Sequence, residues 1–218
     1  MRNIKKILKE DDIGDMGIGA MIVFIAMVLV AGIAASVLIQ TANRLEIQAM
    51  KTGQETTREV STGLAVVDIE GLQSGGVISN ITITVRARAG SGDIDLSQTI
   101  IELTDGTTKT LLTYSPTAQQ FNHSTDATGS VFGTGFWNET NAQFGILVLQ
   151  DEDSSLTATN PVINRGDLVM LCVNTNASFT GLDPRDDIWG MVSPEQGAPG
   201  IFAFRVPSSL TAEVYDLY

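Results

Sequence analysis

Residues 16–43 contain no Asp, Glu, Lys or Arg. Within them, residues 18–39 read Ile-Gly-Ala-Met-Ile-Val-Phe-Ile-Ala-Met-Val-Leu-Val-Ala-Gly-Ile-Ala-Ala-Ser-Val-Leu-Ile. At about 1.5 Å per residue this segment is roughly 33 Å long as a helix, against about 30 Å of bilayer hydrocarbon. It is apolar on every face, as befits a helix surrounded by lipid or by other apolar helices. Arg2, Lys5, Lys6 and Lys9 precede it and supply the positive-inside signal that keeps the first residues cytoplasmic and sends everything after Ile39 outward. A conventional secretory signal, cut near Ala31-Gly-Ile-Ala-Ala-Ser36 and discarded, is the rival reading, but no polar loop follows that site.

After Gln40 the pattern acquires a wet side. Val60, Leu64 and Val67 recur at helical spacing, and Gly71 with Gly75-Gly76 reads as a stop. Three segments follow: 1–14 as a leader, 15–72 as one long helix, and 73–218 as an outer β domain. In that last part Ile81, Ile83, Val85 and Ala87 alternate with Thr82, Thr84, Arg86 and Arg88, which predicts a half-buried strand. Residues 99–104, Asp105-Gly106 and 107–112 read as a hairpin with a type I′ turn. Further strands are expected at 144–149, 167–173, 187–192 and 200–206. The fold class is α+β: a long N-terminal hydrophobic helix followed by an antiparallel, immunoglobulin-like β-sandwich.

The function classes that remain are few. The chain carries 25 acidic and 13 basic residues, a formal charge of −12, which disfavours nucleic acid as a partner. One Cys (Cys172) and one His (His123) cannot build a disulfide or a Cys/His zinc cage. Cys172, within Leu168-Val-Met-Leu-Cys-Val173, reads as a buried small hydrophobe, and His123 as a loop histidine. No catalytic pair emerges, and no metal site or cofactor is expected. The acidic runs Asp151-Glu152-Asp153 and Asp183, Asp186, Asp187 lack the spacing of a calcium loop. Four Asn-x-Ser/Thr sequons, at Asn80, Asn122, Asn138 and Asn176, are candidate N-glycan sites. Asn122 and Asn138 fall in a loop-like stretch, whereas Asn80 opens a strand.

Gly14-Asp15-Met16-Gly17-Ile18-Gly19 and the apolar run to Ile39 closely resemble the N-terminal signature of archaeal flagellins, the archaellins. The resemblance continues in Lys51-Thr-Gly-Gln-Glu-Thr-Thr-Arg58, Val192-Ser-Pro-Glu-Gln-Gly-Ala-Pro-Gly-Ile201 and Arg205-Val-Pro-Ser-Ser-Leu210. It implies a class III signal peptide, cut by a prepilin-type signal peptidase between Gly14 and Asp15, with the apolar helix retained; a cut after Gly17 is the alternative. Acidic Glu10-Asp11-Asp12 before the cut departs from the family's usual basic residues. The resemblance further implies a helical polymer of identical or related subunits, built on a membrane assembly and motor platform from a membrane-held precursor with its leader cytoplasmic. The product would be an extracellular archaellum filament used for swimming. Gly19, Ala20, Phe24, Ala26, Leu29, Gly32, Ala35 and Ile39 are the expected helix-packing positions, small residues allowing close backbone approach. Two other readings stay open at this point: an adhesive type IV pilin-like subunit, and a membrane-tethered binding protein or hydrolase.

Overall fold

The computed structural model describes residues 2–116, 121–123, 131–133, 137 and 142–218, with side chains from residue 16 onward. It divides into two compact units, Met1–Gln54 and Glu55–Tyr218. Helix α1 spans Arg2–Ser61 and supplies all of the first unit's structure and the start of the second. No proline occurs before Pro116 to break it.

The helix ends eleven residues before the expected boundary at residue 72, at Ser61. Strand β1 (Leu64–Ser74) begins almost at once and pairs antiparallel with β2 (Val77–Ala87) along its whole length. The helical spacing of Val60, Leu64 and Val67 is therefore coincidental. Leu64 and Ile69 are fully buried on the sheet, and a register shift between Val66 and Asp68 disguises the period-two alternation. Gly75-Gly76 is not a helix stop but the turn between these strands. Ser74 faces Val77, and both glycines have positive φ, +68° and +90°, as a two-residue type I′ loop requires.

The remaining strands are β3 (Ile94–Asp95), β4 (Ile100–Thr104), β5 (Lys109–Tyr114), β6 (Phe121–His123) and β7 (Gln143–Gln150). They continue with β8 (Val162–Ile163), β9 (Leu168–Asn174), β10 (Asp187–Ser193), β11 (Gly200–Arg205) and β12 (Val214–Asp216). A five-residue helix, α2 (Thr175–Phe179), follows β9. One sheet runs β11-β10-β4-β5-β7-β9-β2-β1-β12, with β6 added beside β7, and β3 pairs with β8 separately. The pairing is mostly antiparallel; β5 and β6 each run parallel to β7.

The sheet folds over so that β11 meets β1: a Cβ placed on Gly200 would lie 3.1 Å from Val66 Cγ2. Between its layers sits one hydrophobic cluster that includes Leu64, Ile81, Ile101, Phe144, Leu171 and Phe202. The long helix and mostly antiparallel β domain thus stand as expected.

The hairpin β4–β5 does not use a two-residue turn. Thr104 faces Lys109, leaving a four-residue loop in which Asp105 Oδ1 accepts hydrogen bonds from the N–H groups of Thr107 and Thr108 at 2.7 and 2.6 Å. Those N–H groups hold the Asp105 carboxyl below its ordinary pKa, Thr108's backbone contributing most. The side-chain–backbone Asx geometry outcompetes the tighter turn that Asp-Gly also permits.

At the root of β1, Ala198 N–H donates to Thr62 O at 2.8 Å and Leu64 N–H donates to Ala198 O at 3.2 Å. Gly197, at φ +96°, lies against Thr62; any Cβ there would collide with Thr62's carbonyl.

Candidate functional site

From Met16 onward every residue of α1 up to Ser61 is exposed. Met16–Ser61 contains a window of mean hydropathy 3.0 with none of it buried, long and apolar enough to cross a membrane. The expected packing positions Gly19, Ala20, Phe24, Ala26, Leu29, Gly32, Ala35 and Ile39 all lie on this stretch. A Cβ added at Gly19 or Gly32 would meet nothing within 4 Å. At about 100° per residue the small residues Gly19, Ala20, Ala26, Gly32 and Ala35 fall on several sides of the helix rather than on one stripe. Such a surface suits several neighbours at once. Gly14 and Asp15 lie inside the continuous helix, and the cleavage assigned to them is untouched by the fold.

The structure describes three of the four sequons. Asn80 is half-buried in mid-β2, opposite Asn174 and Leu72, and its hydroxyl partner Thr82 is fully buried. Asn122 belongs to strand β6 rather than a loop; its Oδ1 accepts a hydrogen bond from His123 N–H at 2.9 Å. Asn138 lies outside the described residues. Asn176, on α2 two residues after its N-cap Asn174, is exposed, and the hydroxyl of its sequon partner Ser178 is buried.

His123 is half-buried and edge-on to Phe121, ring centroids 5.4 Å apart. Cys172 is a reduced, fully buried thiol in a small cluster with Leu147, Met170, Trp137 and Val131. It faces Gly145, whereas His123 faces Val148, three positions along β7.

Among the described residues one group of carboxylates could hold a cation. Asp151 and Asp153 meet Asp167, with an oxygen of each within 4.8 Å of the others. An all-oxygen set suits a hard cation. These oxygens already accept hydrogen bonds: Asp167 from the N–H groups of Glu152 and Asn164, Asp151 from Ser155 and Leu156, and Asp153 from Ser155 and the Asn164 side chain. Hydrogen bonding by Ser155 and Asn164 holds the Asp153 carboxyl below its ordinary pKa. Asp167 was invisible to a reading by local runs because it lies fourteen residues from the nearest partner in the chain. The second acidic group separates: Asp186 accepts from Asp183 N–H at 2.9 Å, and Asp187 pairs with Arg205 at 3.5 Å.

A surface the sequence reading missed lies on the outward side of β11, β10, β4 and β5. Ile201, Met191, Glu102 and Leu111 stand side by side across the four strands. Trp189 adjoins them, opposite Ala203 and Thr104. The available signal was in β11, where Ile201 and Ala203 are out of phase with the buried Phe202 and Phe204, so both faces of an edge strand are apolar.

A β domain with its own core bearing a long apolar helix that is exposed throughout its described side chains defines a class: a subunit whose burial is completed by other molecules. The archaeal-type flagellin family model matches residues 14–204. Flagellin B2 of Methanocaldococcus jannaschii is 44% identical over 210 residues, covering 94% of each chain. The crystal structure of archaeal flagellin FlaB1 from the same organism superposes with a TM-score of 0.65 at 30% identity, over 72% of this chain and 96% of that one. The archaeal flagellum of Methanospirillum hungatei shares the fold at a TM-score of 0.63 and 16% identity, over 92% and 98%. The chain belongs to the archaeal-type flagellin family and is a structural filament subunit, an archaellin. None of this favours the adhesive-pilus or tethered-hydrolase readings.

Proposed function

We propose that this archaellin polymerises with identical or related subunits into an extracellular archaellum filament that serves swimming, and that it catalyses no reaction. One observation carries the reading. The apolar face of α1 is as large as a membrane span yet none of it is buried within the chain, while the β domain's core is complete without it. Before assembly the membrane supplies the missing apolar surroundings. Residues 1–14 act as the cytoplasmic leader that holds the precursor there, since drawing Arg2, Lys5, Lys6 and Lys9 into hydrocarbon costs several kcal/mol.

A prepilin-type peptidase cuts between Gly14 and Asp15, and the freed helix exchanges lipid for neighbouring helices on the assembly and motor platform. Residues 15–61 then form the filament core and 62–218 its skin. Among the described sequons, Asn176 is the one with an exposed asparagine and is the favoured glycan acceptor. Mass spectrometry of native filaments checks the processing: an N-terminus at Asp15 supports it, and an intact Met1 contradicts it. Electron microscopy and swimming assays of a deletion strain test the role.

A further inference from the structure

We infer that the outward face of β11, β10, β4 and β5 is a docking surface for helix α1 of a second copy of this chain. The inference rests on the filament reading above.

The face is built for contact. Trp189 is 49% exposed, Ile201 70%, Leu111 53% and Ile100 42%, four large apolar side chains grouped on one sheet surface. Exposed apolar side chains grouped on one face suit a contact with another molecule. Its charged members are already balanced: Lys109 Nζ lies 2.8 Å from Glu102, and Arg205 lies against Asp187. The surface therefore offers large apolar side chains on both sides of the Glu102–Lys109 ion pair, with the charges of its strands paired and Asp105 in the adjoining loop. It also borders the root of α1, because Ile201 is three residues from Ala198, the partner of Gly63.

Charge chooses the occupant. Residues 62–218 carry eighteen acidic and six basic residues, so the entire formal charge of −12 falls on the β domain. Residues 16–61 carry three of each sign and are neutral. Against this face a second β domain brings further negative charge, whereas α1 brings none.

Symmetry points the same way. The face packed on its own copy gives a closed two-fold pair, which ends growth; an open polymer needs two different surfaces in contact. The other large exposed apolar residues of 62–218, among those described, are only Val67, Val214 and Tyr218. Among the described residues, the other large exposed apolar side chains are those of α1.

The test uses filaments of the full chain. Ile201→p-benzoylphenylalanine is incorporated and irradiated, and dimer-sized adducts are mapped by mass spectrometry. In parallel, filament yield is measured for Ile201→Lys, Ile201→Glu and, away from the face, Val67→Glu. The expected result is adducts on residues 16–61, a fall of about tenfold in yield for both Ile201 variants, and a change within about twofold for Val67→Glu.

A neutral helix partner makes the sign of the new charge immaterial; an acidic β-domain partner would spare or favour Ile201→Lys. Adducts within 62–218, no intermolecular adduct in intact filaments, or normal yield with Ile201→Lys each overturns the inference and leaves the filament reading standing. Absence of any filament from the unsubstituted chain overturns both.

Discussion

Helix α1 and the β domain use the same apolar residue types to opposite ends. In the β domain, Phe144, Ile81 and Leu171 are sealed between sheet layers; in α1, Phe24, Ile22 and Leu29 face outward. The contrast separates two properties that usually travel together. Subunit stability resides in residues that meet only their own chain, and the capacity to assemble resides in residues that meet almost nothing there.

The largest expected effect tests that separation directly. Phe144→Ala removes a fully buried ring and should destabilise the β domain by about 3–5 kcal/mol in denaturant unfolding. Phe24→Ala should change the same transition by less than about 0.5 kcal/mol while reducing filament yield. Equal loss of stability in both variants would break the comparison. Next, Gly197→Ala forces a side chain onto the Thr62 carbonyl at positive φ and should cost more than about 2 kcal/mol, read in the same experiment.

Tyr114 sharpens the picture from inside the domain. Its hydroxyl donates to Ala158 O at 2.8 Å, and burial pushes its pKa up to about 12. Tyr114→Phe should cost about 1 kcal/mol at neutral pH. The smallest effect belongs to Glu70, whose carboxyl is raised above its ordinary 4.5 by burial, then by Asp68 and Asp216. A raised carboxyl pKa means the folded state disfavours the charged form. Its penalty is absent below the unfolded value and complete above the folded one, so this residue's contribution falls as pH rises through the interval just above 4.5. Glu70→Gln should therefore flatten that fall and stabilise the domain at pH 7 by no more than about 0.5 kcal/mol, solvent screening limiting the gain. Thermal unfolding from pH 4 to 7 reads it.

The apolar helix was legible because nothing but a helix accommodates so long an uncharged run, and β7, β9, β10 and β11 because short apolar or alternating segments stand between turn residues. Its end was not. Leu64 and Val67 satisfy a helical period locally, and only pairing with β2, a long-range contact, decides otherwise. Both turns elude a local reading for a similar reason: Gly75-Gly76 and Asp105-Gly106 each permit a tight loop, and Asp105's side chain tips the second toward four residues. The Asp167 cluster and the Trp189 face depend on strand order, which local composition does not encode.

The junction at Thr62 has a mechanical consequence. The helix passes into β1 through only two residues, and the hydrogen bonds tying Thr62 and Leu64 to Ala198 anchor that junction to the segment leading into β11. The last turns of the helix, from Glu55, are thereby clamped into the same unit as the sheet, so a pull on them is met by backbone hydrogen bonds instead of being absorbed by a loose linker.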